Sequence, residues 1–188
     1  MRRTLTYGEW EAEFDKIKYT AFRLELQPAY HVEEEQRSLR DFLAGRLAEP
    51  TDDERVYPWR QMVRELTARG GRMERVRVFE DPPTDYQRWL RWVSKGNVEA
   101  GEVQWYVTRQ QAHEFGLLPA AGNVDWWLFD SGRLLEMHFG EDGKMVKREL
   151  VTDPDVVVQA NAWRDLALCN ARRIAGAVPA EEVREQAG

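Results

Sequence analysis

Polar and apolar positions change period several times along the chain, and each change marks an element. Leu5 and Trp10 flank Thr6 and Glu9 as a hydrophobic staple around an S/T-x-x-E capping box. This predicts a helix opening at Thr6 with Trp10, Phe14 and Ile17 on one face. Residues 21–26 then alternate, setting Phe22, Leu24 and Leu26 on one side of a strand that Pro28 ends. Two helices are expected next. The first spans about 33–44, with Leu39, Phe42 and Leu43 inward and Gly45 as its stop. The second opens at Pro58, where a missing N–H costs nothing, and carries Trp59, Met62, Val63 and Leu66 at helical spacing up to Gly70-Gly71. Between them, residues 47–57 are polar and read as a loop.

From residue 72 the texture changes. Residues 73–79 alternate as a strand, and Asp81-Pro82-Pro83 breaks it. Thr84 with Gln87 repeats the cap and opens a Trp-heavy helix that Gly96-Asn97 is expected to end. Residues 103–108 read as a strand, and Thr108 with Gln111 caps a short helix stopped by Gly116. Residues 124–151 form three strand-like runs joined at Ser131-Gly132 and Asp142-Gly143, the pattern of an antiparallel meander. Thr152-Asp153-Pro154 opens a long helix with Val156, Ala160, Trp163, Ala167 and Ile174 along one stripe. The fold class is therefore α+β: N-terminal helices packed on a mixed sheet, ending in the meander and a long C-terminal helix. One domain is expected over 1–178, with a mostly helical part at 1–70, a sheet-bearing body at 72–175 and a flexible tail at 179–188.

Composition narrows the function classes. With 33 acids against 27 bases, a net charge of −6 argues against a protein that blankets phosphates. The one cysteine, Cys169, excludes a disulfide framework and a multi-cysteine metal cluster, and its apolar helical neighbours make core filler its expected role. Two N-terminal arginines are followed by no apolar run, and no window is apolar enough to span a membrane, so a cytoplasmic protein is expected. Eight tryptophans in 188 residues require a bulky aromatic core, an aromatic-lined cavity, or both. Trp10, Trp59, Trp89 and Trp163 lie on helix faces where packing suffices. Trp126 and Trp127, adjacent on one strand, must face opposite sides.

Motifs of catalysis are absent. His31, His113 and His138 show no ligand spacing, and there is no G-x-S-x-G, no Walker loop and no G-x-G-x-x-G. No metal and no cofactor are expected. Asp125 and Asp130 point to opposite faces of a strand and cannot act as one acid/base pair; hairpin geometry is the expected role of Asp130. Arg23 and Glu25 share the face opposite Phe22 and Leu24. A surface ion pair is the favoured setting, and a buried pair would mark a polar pocket instead. Residues 97–102 form a polar stretch between aromatics that is able to rim a ligand site, with Asn97, Glu99 and Glu102 offering polar groups. Trp92, off the apolar stripe of its helix, Trp105 and Trp127 complete the candidate binding set with Arg23 and Glu25.

Tyr19 through Glu25, Arg75 through Val78, Asn97 through Glu102, Asp125 through Asp130 and Ala162 through Asp165, in this order over about 9–170, resemble an actinobacterial domain family of unknown function. Members are small streptomycete-type cytoplasmic proteins often encoded near helix-turn-helix regulators. The resemblance carries no catalytic residues. From residue 73 the element order is also similar to half of a phospholipase-D-like unit. Active members of that superfamily carry H-x-K-x-x-x-x-D; here His138-Phe139-Gly140 has glycine at the lysine position. Together these readings point to a non-catalytic regulatory or binding module engaging a small ligand or a protein partner. A basic DNA-binding regulator suits the acidic charge, direct nucleic-acid or membrane binding does not, and a homodimer is open. The alternative is an enzyme of specialised metabolism with an aromatic-lined pocket.

Overall fold

The computed structural model describes residues 1–46 and 57–173. Eight strands form one mixed sheet: β1 (Arg2–Thr4), β2 (Thr20–Glu25), β3 (Arg72–Phe79), β4 (Val103–Thr108), β5 (Asp125–Phe129), β6 (Arg133–Phe139), β7 (Met145–Val151) and β8 (Arg172–Arg173). Their spatial order is β1-β7-β6-β5-β2-β3-β4-β8. β2, β3 and β4 run parallel, and the other neighbours are antiparallel, including the β5–β6–β7 meander. The helices are α1 (Tyr7–Phe14), α2 (Gln36–Leu43), α3 (Tyr57–Ala68), α4 (Asp85–Val93), α5 (Lys95–Glu99), α6 (Arg109–Glu114) and α7 (Pro154–Asn170), with a 3-10 turn at Glu33–Glu35 before α2.

Alternation along the strands separates two cores. Phe22, Leu24, Val76, Val78, Trp126 and Leu128 pack under α6 and α7, against Ala112, Val157, Ala160 and Ala167. Ala21, Met73, Trp127, Phe129, Leu135 and Met137 face the other way, toward α1 and α3, where they meet Val63 and Leu66. A smaller cluster of Tyr30, Phe42, Tyr86, Trp89 and Leu90 joins α2 to α4. Parallel strands need both faces covered, and helices on both sides supply this. Trp126 and Trp127 therefore both enter apolar layers although they point apart.

All three capping boxes form. Thr6, Thr84 and Thr108 accept from the backbone of Glu9, Gln87 and Gln111, whose side chains answer to the cap N–H. Four expectations are corrected, the first being Leu43, which at the end of α2 is 50% exposed and not inward. Gly96-Asn97 does not end the helical stretch; the chain continues from α4 into α5 across the single residue Ser94, and both residues lie within α5. A Cβ on Gly96 would lie 2.2 Å from Nη2 of Arg60, so this glycine serves close approach and not termination. The tight turn of the β5–β6 hairpin falls on Asp130 and Ser131, at φ 50° and 55°, one residue before Ser131-Gly132. Cys169 is exposed, because its position on α7 turns it off the stripe that faces the sheet. The three-residue β1 and two-residue β8 had no sequence signal, being shorter than any readable alternation. Residues 47–56 of the expected loop, Ile174 and the tail lie outside the described residues.

Asp130 does more than turn the chain. Its carboxylate accepts backbone N–H bonds from Lys18, Tyr19 and Thr20 at 3.0, 2.7 and 3.0 Å, fixing the entry of β2 beside the hairpin. Burial opposes its ionisation, but these three N–H groups and Arg133 outweigh that and hold its pKa below the ordinary value. Asp130→Ala removes these acceptors and places alanine at positive φ; we expect a loss of about 2–3 kcal/mol in urea denaturation. Asp130→Asn, which keeps an acceptor and tolerates that φ, should lose clearly less.

Candidate functional site

The residues of the site come from strand positions two apart. Arg23 and Glu25 on β2, Arg75 and Arg77 on β3, Gln104 on β4 and Asp125 and Trp127 on β5 share the face toward α3 and α4, and Glu102 precedes β4 in phase. Parallel register sets Arg23 beside Arg75 and Glu25 beside Arg77. Like charges on neighbouring strands would repel, and Glu25 resolves this by accepting from all three guanidiniums. Nε of Arg23 donates at 2.8 Å, Nε of Arg77 at 2.5 Å, and Nη1 of Arg75 also donates. Outward from this centre, Arg75 donates to Glu102 at 2.7 Å, while Arg77 donates to Ser94 at 2.8 Å and Gln104 at 2.6 Å. Arg23 reaches Asp125 at 3.2 Å. The guanidiniums of Arg23 and Arg75 each lie 5.3 Å from the Trp127 ring centre, and Arg75 lies 5.6 Å from that of Trp59.

The surface setting expected for Arg23 and Glu25 is thus corrected: they are 8% and 6% exposed. The crossover from β2 to β3 lays α2 and α3 over them, which a strand pattern does not reveal. Burial works against the charge on Glu25, but Arg75, Arg77 and Arg23 outweigh it and hold the carboxyl well below the usual range. Asp125 differs. Burial pushes it up to about 6, although Arg23, the Tyr30 hydroxyl and the Leu26 N–H all favour its carboxylate.

Above this charged floor lies a cavity of about 420 Å³, a size that suits a small molecule. Trp10, Trp59, Trp89 and Phe139 wall it, so three tryptophans whose helix faces sufficed for packing also bound open space. The roof is the segment from Tyr30 to Ser38. Nε1 of Trp89 donates to Ser38 at 3.2 Å, Tyr86 donates to Glu35 at 2.5 Å, and Thr84 donates to the Pro28 carbonyl at 2.7 Å. Burial raises the pKa of Glu35, opposed by the Tyr86 hydrogen bond.

Of the candidate residues, the structure gathers Arg23, Glu25, Asn97 and Trp127 on the cavity. Glu102 is buried behind Arg75. Trp92 lies off the cavity against Phe42, ring centres 5.7 Å apart, Glu99 is exposed at the end of α5, and Trp105 packs on the opposite core. Sequence reasoning missed Arg75, Arg77, Arg60, Tyr30, Glu35 and Tyr86. Part of the signal was present: polar residues two apart recur in Arg23/Glu25, Arg75/Arg77 and Glu102/Gln104.

His138 sits elsewhere. With Glu136 and Glu149 it forms a group whose ligand atoms lie within 4.8 Å of one another. Arg2 donates to both glutamates and Lys147 reaches Glu149 at 2.9 Å, so cations already cover the acids. No helix among the described residues is long and apolar enough to cross a membrane.

Fold and cavity define a three-layer α+β domain with a buried charged floor under a ligand-sized space. Residues 8–176 match the family described as Domain of unknown function (DUF6879), and the chain belongs to that family. No curated protein matches significantly. Among solved structures, a phospholipase D family member, Nuc from Salmonella typhimurium, matches at TM-score 0.55 and 7% identity, covering 94% of this chain and 100% of that one. The likeness is one of fold. NucT from Helicobacter pylori matches at 0.49 and 9% identity over 93% and 98% of the two chains. TrmBL2, an archaeal chromatin protein, matches at 0.48 and 6%, over 93% and 55%.

A carboxyl raised by folding from 3.8 to about 6 keeps its proton over that interval while the unfolded chain has lost it. Its contribution is therefore full below the lower value and is lost as pH rises through the higher one. Asp125→Asn removes this loss. The stability of the variant relative to the parent should rise between about pH 4 and 6 and level off above about pH 7 in urea denaturation. A flat difference overturns the assignment.

Proposed function

We propose that this protein is a non-catalytic small-molecule-binding module that uses the cavity beneath residues 30–38. The supporting observation is a ligand-sized space whose floor is a preorganised Arg–Glu network and whose walls are aromatic. Such a floor orients a polar group without reorganising, while the walls supply apolar contact.

The hydroxyl groups around the cavity are committed to hydrogen bonds rather than poised for reaction. Ser94 donates to the Leu90 carbonyl, and Tyr30 and Tyr86 donate to carboxylates. Ser38 accepts from Trp89, and neither histidine nor cysteine is among the lining residues. Among the described lining residues no serine hydroxyl donates to a carboxylate or a histidine. The net charge of −6 suits a basic protein partner that would read the loaded state, which gives the module its regulatory role.

Ser38→Trp fills the cavity from its roof. A small-molecule extract of the producing cells should raise the melting temperature of the parent by about 2 °C or more and leave that of the variant unchanged. Equal responses of the two proteins, or no response in either, overturn the reading.

A further inference from the structure

The floor keeps two donors in reserve. Arg75 commits Nε to Glu102 and Nη1 to Glu25; Arg77 commits Nε to Glu25 and Nη1 to Ser94 and Gln104. Among the described residues neither Nη2 has a partner, although the two side chains are only 10% and 6% exposed and both line the cavity. Guanidinium N–H groups held in place by the other bonds of their side chains are suited to receive a carboxylate.

The roof carries the opposite need. Glu35 lines the same cavity, accepts the Tyr86 hydroxyl and forms no ion pair among the described residues. Arg77 and Arg75 act on its charge from the floor without reaching ion-pair contact. Its hydroxyl donor Tyr86 belongs to an aromatic cluster, 5.2 Å from Trp89 and 5.8 Å from Tyr30, centre to centre. A carboxylate without an ion pair, at the edge of an aromatic cluster, is a seat for a cation.

We propose that the cavity takes a zwitterion of the amino-acid class, its carboxylate on Nη2 of Arg75 and Arg77, its ammonium at Glu35 and its side chain against Trp59 and Trp127. This rests on reading the cavity as a ligand site. A simple anion leaves the half-buried Glu35 without a cation, and a simple cation leaves the two guanidinium donors unfilled. A zwitterion satisfies both ends and adds no net charge to the interior. The aromatic walls favour a large apolar side chain on the ligand.

The test uses three probes on the full chain by isothermal titration calorimetry: L-tryptophan, tryptamine and indole-3-propionate. L-tryptophan should bind at least about tenfold more tightly than either single-charge analogue. Glu35→Gln should weaken L-tryptophan and tryptamine about tenfold and leave indole-3-propionate unchanged; Arg77→Lys should weaken the two carboxylates and spare tryptamine. Circular dichroism of both variants checks that they fold, and the Glu35 variant, at the roof, carries the test if the floor variant does not. Equal binding of a single-charge analogue, an unchanged L-tryptophan affinity in Glu35→Gln, or no binding of any probe overturns the amino-acid class. An extract response that Ser38→Trp abolishes, with L-tryptophan silent, discards the class and leaves the ligand site standing.

Discussion

Glu25 sits at the middle of the sheet and accepts from Arg23, Arg75 and Arg77 at once, and the remaining architecture is arranged around that contact. Without it, three guanidiniums on two neighbouring parallel strands would face one another in a layer closed to water. A buried ion network is not in itself a strong source of net stability, because desolvation offsets much of the attraction. What it enforces is register. A one-residue slip of β3 against β2 would send Arg75 and Arg77 into the apolar layer under α7 and bring Val76 and Val78 over Glu25. The charged residues thus define which face of the sheet is which.

The same contact explains why the cavity persists. Side chains held by mutual hydrogen bonds cannot collapse into open space as aliphatic ones do. Trp127 stacks under two of the guanidiniums and so is held as part of the floor. The roof is secured separately, by Tyr86, Trp89 and Thr84 of the helix region opposite it. Floor and roof therefore belong to different networks that meet across the space between them, one presenting guanidinium donors and the other a carboxylate.

Local structure was largely legible in the sequence because its signals are local. The three capping boxes, the Pro58 helix start and the alternation of β2, β3 and the meander each depend on a few neighbouring residues, and each appears where the pattern set it. Gly96 misled for a physical reason: glycine ends helices and also admits close packing, and only the position of Arg60 shows which applies. Trp105 misled because adjacency to residues 97–102 does not fix its face: one step along β4 from Gln104, it packs on the opposite core. The candidate site was partly legible through Arg23, Glu25, Asn97 and Trp127. Its partners Arg75 and Arg77 lie about 40 residues from the roof acid Glu35, and no local pattern links the two.

By itself, then, the sequence determined the class of fold, the helix starts, the strand phases and hence which side chains share a face, since these follow from periods of two and 3.6 and from caps a few residues long. It also determined that Arg23 and Glu25 act as a pair. Whether that pair met water or a closed interior was decided by tertiary structure alone. The crossover carrying α2 and α3 lies over β2, and burial converts an ordinary surface ion pair into the centre of a charged floor. Burial is a property of what packs above a residue, and nothing within its own strand encodes that.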